Sequence, residues 1–382
     1  MCGARGRIVV GCGYHRCHFI VSIATPFMPT SPLPSGSAAP PARKAPGRAT
    51  IDDVARHAGV SKATVSRFLN RRDELLTRDI AARVAQAIEA LDYKPSAMAR
   101  SLKHGRTRLI GLVVADIANP FSIAVLRGAE QACQEAGYLM VLFNLGNEVG
   151  REREALRALA SYQVEGLILN RVDPVRQAWH EATLQGKPVV LVDRRHEGLD
   201  ADFVSVDNRQ AVELGLAHLL AAGYEDFLLV TEPYGQVSSR TERVQAFVGE
   251  LSARGRRHAI FETTPDNADA LAAALRAFRQ AAGGRPAAVL SGNAVATLRV
   301  AAALTAPLQW QFGRELGFVG FDETEWAPLV GAGLTTIAQP TQALGGLAAR
   351  CLIERLDGLQ APARHIELPG WLIARGSSRP PA

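Results

Sequence analysis

The sequence predicts a two-part protein: a small all-α headpiece followed by a larger α/β core of two doubly wound lobes. Four short helical patterns crowd together between Thr50 and Leu102. Beyond Arg108, short apolar runs alternate with amphipathic helical stretches, which is typical of parallel strands covered by helices on both faces. Roughly 270 residues of this pattern exceed one comfortable domain, so two lobes are expected.

Composition limits the function classes. The 382 residues are 47% hydrophobic, which is enough for a sizeable core, and they contain no apolar run long enough for a membrane-spanning helix. The net charge is +6, and the segment from Thr50 to Arg108 holds 12 Lys/Arg against 7 Asp/Glu. This local excess indicates a polyanionic partner. The five cysteines fit no zinc-ligand spacing, so we expect a cytoplasmic protein with idle thiols, no metal and no cofactor.

Residues 1–48 differ from the rest of the chain. Residues 29–48 are rich in Pro, Ser, Ala and Gly, a composition that buries too little apolar surface to fold. We interpret 1–48 as a disordered extension or a mis-set start. Met28 is the alternative first residue, so translation of residues 1–27 stays open.

The first helices are delimited by capping and breaking residues. Thr50 is placed to cap a first helix, Gly59 to end it, Ser61 to cap a second helix and Thr77 to cap a third. The segment Ile51–Asn70 therefore reads as a helix, a three-residue turn and a helix. In such a unit the first helix braces the second, whose exposed N-terminal face can enter a DNA major groove.

The second helix would present polar and small side chains to DNA: Ser61, Lys62, Ala63, Thr64, Ser66 and Arg67. Arg and Lys can address guanine, an alanine can contact a thymine methyl, and hydroxyls suit phosphates. Taken alone, the pattern also fits a plain helical hairpin with a solvated charged face.

Three motifs together give the chain a specific resemblance: Ile51–Asn70, Leu91–Leu102 and Ile110–Val114. It resembles the LacI/GalR family of bacterial repressors over about residues 50–375. The resemblance implies a helix-turn-helix DNA-binding domain at 49–94 and a hinge helix with its linker at 95–108. It also implies a homodimer, with a tetramer as the open alternative, on near-palindromic operator DNA.

The resemblance assigns roles to particular DNA-contacting residues. Lys62, Ala63 and Arg67 match the family's main base-reading positions. Leu102 matches the leucine that the family's paired hinges insert between base pairs, as an apolar wedge that bends the duplex. Three further hinge positions match residues that lie along the minor groove, namely Ser96, Ala97 and Ala99. An ordinary linker leucine is the alternative for Leu102.

The resemblance further implies that residues 109–380 form a periplasmic-binding-protein-like core, in which two lobes joined by three crossovers close on an effector. Ligands of such sheets lie beyond the carboxyl ends of strands. The candidate effector residues there are Asn119, Phe121, Asp193, Arg194, Arg243, Asn293, Asp322 and Trp326. Asn119 could instead serve only as a helix start, the charges after Val192 as a crossover salt bridge, and Trp326 as packing.

The effector class follows from a finer resemblance. Phe321–Trp326 and Leu334–Thr341 resemble the branch that regulates sugar-acid use, such as 2-ketogluconate utilisation repressors. Ala294 stands where the family usually has an acid, while the effector-binding arginine is kept as Arg243, a combination that suits an anionic ligand. We therefore expect a repressor of sugar or sugar-acid catabolism genes. Whether the effector induces or corepresses stays open.

Three other functions would each account for part of the sequence. A solute-binding protein of the periplasmic type would share the core, but it would need an export signal and would not need residues 50–102. An enzyme would need a catalytic motif; no Gly-x-Ser-x-Gly, phosphate loop or His-Glu-x-x-His appears in the sequence. A regulator controlled by a partner protein would keep the family but have no small ligand.

Overall fold

A computed structural model describes residues 49–69, 76–94, 106–148, 150–170, 186–196 and 199–379. The chain divides into two compact units, Met1–Lys94 and Pro95–Ala382. Within the described ranges, no helix is both long and apolar enough to cross a membrane.

The described residues of the first unit form three helices: α1 (Ile51–Ala58), α2 (Lys62–Leu69) and α3 (Arg78–Ala90). Thr50 caps α1 in a capping box with Asp53, and Gly59 ends that helix at a φ of 64°. Thr77 caps α3 by accepting a hydrogen bond from the Ile80 amide. These capping predictions are confirmed, as is the helix, three-residue turn and helix.

The turn between α1 and α2 is held from a third element. The Arg83 guanidinium of α3 donates hydrogen bonds to the carbonyl oxygens of Ala58 and Gly59, at 2.6 and 3.0 Å from Nη2. Val54, Val65 and Val84, one from each helix, are fully buried against one another. The small core therefore fixes the angle between α1 and α2 and leaves the N-terminal face of α2 outside it.

The second unit is built on two six-stranded sheets, with the strand orders β11-β5-β4-β3-β1-β2 and β12-β10-β9-β8-β6-β7. The strands of the first sheet are β1 (Leu109–Val114), β2 (Leu139–Asn144), β3 (Gly166–Leu169), β4 (Val189–Val192), β5 (Asp202–Val206) and β11 (His365–Leu368). The strands of the second are β6 (Asp226–Thr231), β7 (Arg257–Glu262), β8 (Ala287–Ser291), β9 (Gly317–Phe321), β10 (Thr335–Ala338) and β12 (Trp371–Ile373). All pairings are parallel except that of β12 with β10.

Each sheet is the centre of one lobe, and helices cover its faces. In the part of the second unit that the structure describes, the α-helices are α4 (Pro120–Glu135), α5 (Arg151–Ser161), α6 (Asn208–Ala221), α7 (Ser238–Ala253), α8 (Ala268–Ala282), α9 (Ala294–Ala303) and α10 (Thr341–Leu356). The chain crosses between the lobes three times: between β5 and α6, between β10 and α10, and between β11 and β12. The two doubly wound lobes and their three crossovers are thereby confirmed.

Helices α4 and α10 pack with their backbones in contact. A Cβ added to Gly128 would lie 1.9 Å from the Gln342 carbonyl oxygen, and one added to Gly345 would lie 2.0 Å from the Val125 carbonyl oxygen. Only glycine permits so close an approach. Helix α4, which follows the loop after β1, is thus packed tightly against α10, which follows the second crossover.

Each of seven apolar runs in the sequence coincides with a strand whose bounds are shifted by at most one residue: 109–114, 138–143, 166–169, 188–192, 226–230, 287–291 and 316–321. Five strands were not predicted: β5, β7, β10, β11 and β12. Strand β5 is fully buried although it contains Asp202, because Arg355 and Arg364 each donate hydrogen bonds to that carboxylate at 2.8 Å. Strands β7 and β11 lie at sheet edges and are half exposed, so their sequences lack a continuous apolar run.

Candidate functional site

A cavity of about 560 Å³ opens at the carboxyl ends of the strands of both lobes. This volume is within the usual range for small-molecule sites. Its wall carries as many basic as acidic side chains, namely Arg194, Arg240, Arg243 and Arg299 with Asp116, Asp193, Glu232 and Asp322. The amides of Asn119, Asn147, Asn170, Asn293 and Gln339 add further polar groups. The cavity is therefore built for a strongly polar ligand.

The structure brings together seven of the eight effector residues predicted from sequence. Those seven line the cavity: Asn119, Phe121, Asp193, Arg194, Arg243, Asn293 and Asp322. Trp326 is not among the residues of the wall, and its place among the effector residues stays a prediction. Its side chain packs on the apolar cluster around Phe318 and Leu334, so it stabilises the lobe.

Arg243 is the most heavily bonded of these residues. It lies on α7 with only 4% of its surface exposed, and its guanidinium stacks 3.8 Å from the centre of the Phe321 ring. It donates to Asn208 Oδ1 at 2.8 Å, to the Gly292 carbonyl oxygen at 2.7 Å and to Gln339 Oε1 at 3.4 Å. Burial lowers the pKa of Arg243, while nearby acids counteract that effect. Arg243 thus forms a fixed, planar part of the cavity wall.

Two buried acids lie near Arg243, one from each lobe. Asp193 Oδ1 is 4.0 Å from Arg243 Nη2, and Asp193 also accepts a hydrogen bond from Asn170 at 3.2 Å. Asp322 accepts from the Ala294 amide at 2.9 Å and from the Gln339 side chain. Burial raises the pKa of Asp322. Both acids have left-handed backbone, with φ of 64° for Asp193 and 73° for Asp322.

On the first lobe, the loop after β1 supplies Asn119 and Phe121. Asn119 caps α4 by accepting from the Phe121 amide at 3.0 Å, so it serves both as a helix cap and as part of the wall. Phe121 is 8% exposed and joins the apolar core of its lobe. Arg194 follows β4, and burial lowers its pKa while Asp193 counteracts the effect. Its Nε lies 3.7 Å from Asp193 Oδ2 of the same loop. The expected salt bridge between the lobes is made from this loop by Arg195, whose Nη2 lies 3.5 Å from Glu242 Oε1 of α7.

A second charged group in the wall was not predicted from the sequence. Glu232 follows β6, and its Oε2 accepts from Arg240 at 2.5 Å and from Asn293 Nδ2 at 2.7 Å. Arg299 Nη1 lies 3.9 Å from Glu232 Oε1. We call Glu232, Arg240, Asn293 and Arg299 the Glu232 cluster. Asn293 also caps α9 through its Oδ1, so its whole amide is engaged. A strand-end position was the one signal that could have pointed to Glu232.

Asn208 and Gln339 were missed as well, because they belong to crossovers and not to strand ends. Asn208 begins α6 after the first crossover and Gln339 lies in the second. Both are buried, at 2% and 7% exposure, and both contact Arg243. Arg243 is therefore bonded to two of the three segments on which the lobes would rotate.

The predicted DNA-reading face lies on the first turns of α2. Lys62, Ala63 and Arg67 are exposed, Thr64 and Ser66 are half exposed, and Ser61 precedes the helix. Ser61 Oγ accepts from the Thr64 amide at 3.2 Å, which confirms Ser61 as the cap. Lys62 Nζ forms an exposed ion pair with Asp52 at 2.9 Å. Ser96, Ala97, Ala99 and Leu102 lie outside the described residues.

A helix-turn-helix unit followed by a two-lobed cavity with a polar wall defines a ligand-responsive transcription regulator. Residues 50–96 match the model of bacterial regulatory proteins of the lacI family, and residues 216–378 match that of the periplasmic binding protein-like domain. The chain belongs to the LacI family and is a DNA-binding transcriptional regulator.

Individual relatives agree with this assignment. The HTH-type transcriptional regulator PtxS of Pseudomonas aeruginosa is 46% identical over 87% of this chain and 97% of its own. The ribose operon repressor of Escherichia coli K12 is 32% identical over 86% of this chain and 100% of its own. The crystal structure of the lac repressor dimer bound to operator and the anti-inducer ONPF superposes with a TM-score of 0.73 at 24% identity. It covers 86% of this chain and 99% of that one, and shows the shared fold.

Proposed function

We propose that the protein represses genes of sugar or sugar-acid catabolism, and that its effector is a sugar acid such as 2-ketogluconate bound in the cavity. The observation that carries the proposal is the wall itself, where guanidinium, carboxylate and amide groups lie side by side. Carboxylates and amides bind sugar hydroxyls, while a guanidinium binds a carboxylate through two parallel hydrogen bonds. The ribose operon repressor among the relatives supports a sugar-related ligand.

Arg243, Asp193 and Asp322 would hold the ligand from both lobes, because Asp193 belongs to the first lobe and the other two to the second. Asn119 and Phe121 would add a polar and an apolar contact from the first lobe. A ligand that bridges these residues favours one lobe arrangement over another, which is the requirement for control of DNA affinity.

DNA binding would use two copies of the α2 face in a homodimer on a near-palindromic operator. Lys62, Ala63 and Arg67 would contact bases, and the hydroxyls of Ser61, Thr64 and Ser66 would contact phosphates. The exposure of Lys62 and Arg67 supports this arrangement. The hinge residues Ser96, Ala97, Ala99 and Leu102 would enter the minor groove.

A thermal-shift panel of sugars and sugar acids tests the effector class. A ligand at 100 times its Kd stabilises the folded state by about 2.7 kcal/mol, which is visible as a raised melting temperature. We expect 2-ketogluconate or a close relative to raise it and neutral sugars to raise it less. Unchanged melting across all acids in the panel, at millimolar concentration, would refute the proposed effector class.

Selection of bound fragments from random duplex DNA tests the DNA part. We expect a near-palindromic consensus, and we expect the stabilising acid to change the affinity for that sequence more than for random DNA. The sign of the change separates induction from corepression. A lack of preference for any sequence would refute the assignment of the α2 face.

A further inference from the structure

The cavity wall contains two separate groups of charged residues, one around Arg243 and the other the Glu232 cluster. Around Arg243, the acids Asp193 and Asp322 come from both lobes. The Glu232 cluster lies wholly on the second lobe. There the Glu232 carboxylate accepts hydrogen bonds from Arg240 and Asn293 and lies 3.9 Å from Arg299. The side chains of Glu232, Arg240 and Arg299 are 15%, 13% and 21% exposed, so all three lie within the wall.

Hydrogen bonds to backbone carbonyl oxygens hold the two arginines of this cluster in position. Arg240 Nη1 donates to the Pro233 carbonyl oxygen at 2.9 Å, and Arg299 Nη1 donates to the Thr263 carbonyl oxygen at 2.9 Å. With Asn293 Nδ2, these cations surround the position of the Glu232 carboxylate. That arrangement is a binding site for an anionic group, and the chain's own carboxylate occupies it.

An incoming anion could use this site only by displacing Glu232. The displaced carboxylate would then lie beside the new anion in the cavity with no cation of its own. Two like charges in a partly buried site repel each other far more than in water. A ligand with one carboxylate avoids this conflict, because it can bind at Arg243 and leave the Glu232 cluster intact.

We propose that Glu232 acts as a charge filter that holds the Glu232 cluster closed, so that the cavity accepts a polyhydroxy acid with one carboxylate and rejects one that also carries a phosphate. This inference rests on the proposed function for the class of effector. It adds Glu232 to the residues that would determine which effector is bound.

The first test uses inorganic phosphate as the probe and does not depend on the effector. The full chain is compared with Glu232→Gln and with Glu213→Gln, which removes the same charge from an exposed pair with Arg209 outside the cavity. Phosphate is titrated against chloride at equal ionic strength by melting temperature and calorimetry. We expect Glu232→Gln to bind phosphate about tenfold or more tightly than the parent chain and Glu213→Gln. Adding Arg240→Gln to Glu232→Gln should abolish that gain.

The second test compares 2-ketogluconate with its 6-phosphate on the same variants. We expect the parent chain to favour the unphosphorylated acid and Glu232→Gln to shift that preference by about tenfold or more toward the phosphate ester. Equal phosphate binding by Glu232→Gln and Glu213→Gln, or a parent chain that prefers the ester, would overturn the filter. If neither acid binds the parent chain, the proposed effector class fails, and the inorganic phosphate arm still decides whether Glu232 closes an anion site.

Discussion

Replacing Arg243 by Met should destabilise the core and abolish the response to the effector. Methionine keeps much of the arginine's stem, so the change mainly removes the guanidinium with its three hydrogen bonds to Asn208, Gly292 and Gln339. It also leaves Asp193, 9% exposed, without the cation that lies 4.0 Å away. Removing one partner from a buried charged network costs about 3–5 kcal/mol, and we expect a loss of that size.

Urea unfolding followed by tryptophan fluorescence measures this loss. All four tryptophans follow residue 108, so their signal reports on the second unit and not on the helix-turn-helix unit. The matched control is Arg209→Met, because Arg209 is 80% exposed in an ion pair with Glu213, four residues further along the same helix. That exposed pair should contribute little to stability. An Arg243→Met midpoint equal to that of the control would refute the role given to the buried network.

The same variant separates the two functions of the chain. We expect Arg243→Met to bind the effector at least about a hundredfold more weakly, since several charged hydrogen bonds are lost or rearranged. Operator binding without effector should change far less, because the α2 face belongs to the other unit. Both affinities are measured without urea, at a temperature where the variant is folded. Equal losses in effector and operator affinity would contradict this division of roles.

Three further predictions follow from particular contacts. Gly345→Ala should lower the free energy of unfolding by about 1–3 kcal/mol or more, since the new Cβ would lie 2.0 Å from a carbonyl oxygen of α4. The control Gly249→Ala, whose Cβ would meet nothing within 4 Å, should raise it by up to about 1 kcal/mol, and equal urea midpoints would contradict the packing. Burial opposes ionisation of Asp202, but hydrogen bonds from two arginines hold its pKa well below the ordinary range. The stability lost in Asp202→Asn should therefore be constant near neutral pH and shrink as the pH falls below about 5. A difference in unfolding free energy between parent and variant that does not depend on pH would refute this. Lys62→Ala should weaken operator binding by about 1–3 kcal/mol. Asp52→Ala, which releases Lys62 from its ion pair, should strengthen it. A gel-shift titration that gives the opposite order would contradict the place of Lys62 on the DNA-reading face.

The sequence was sufficient where local signals and tertiary packing agree. Thr50, Gly59 and Thr77 delimit helices through hydrogen bonds within four residues of themselves, so their roles can be read without the fold. Strands such as Leu109–Val114 are buried by helices on both faces, and burial leaves a continuous apolar run. The cavity-lining residues at strand ends were predictable for a related reason, since the fold class specifies which edge of a sheet binds ligands.

The sequence was insufficient where a residue's environment is decided by distant partners. Asp202 made β5 look polar, and only the fold shows Arg355 and Arg364 beside it. Glu232 and Gln339 carry no motif of their own. Glu232 contacts Asn293 and Arg299, and Gln339 contacts Arg243, all more than sixty residues away along the chain. Trp326 is a related case, since this aromatic residue four positions after a site acid was assigned to the ligand, whereas its partly buried side chain packs on an apolar cluster of the fold.

The left-handed backbone at Asp193 and Asp322 limits how this binding site can diversify. Residues with a Cβ are strained at such angles, and aspartate, asparagine and glycine tolerate them best. These two positions can therefore exchange charge for neutrality at small conformational cost, but they cannot readily accept a branched or long side chain. New ligand preferences in a descendant of this protein should arise first at wall residues with ordinary helical backbone, such as Arg240 and Arg299, while the two aspartates keep their size.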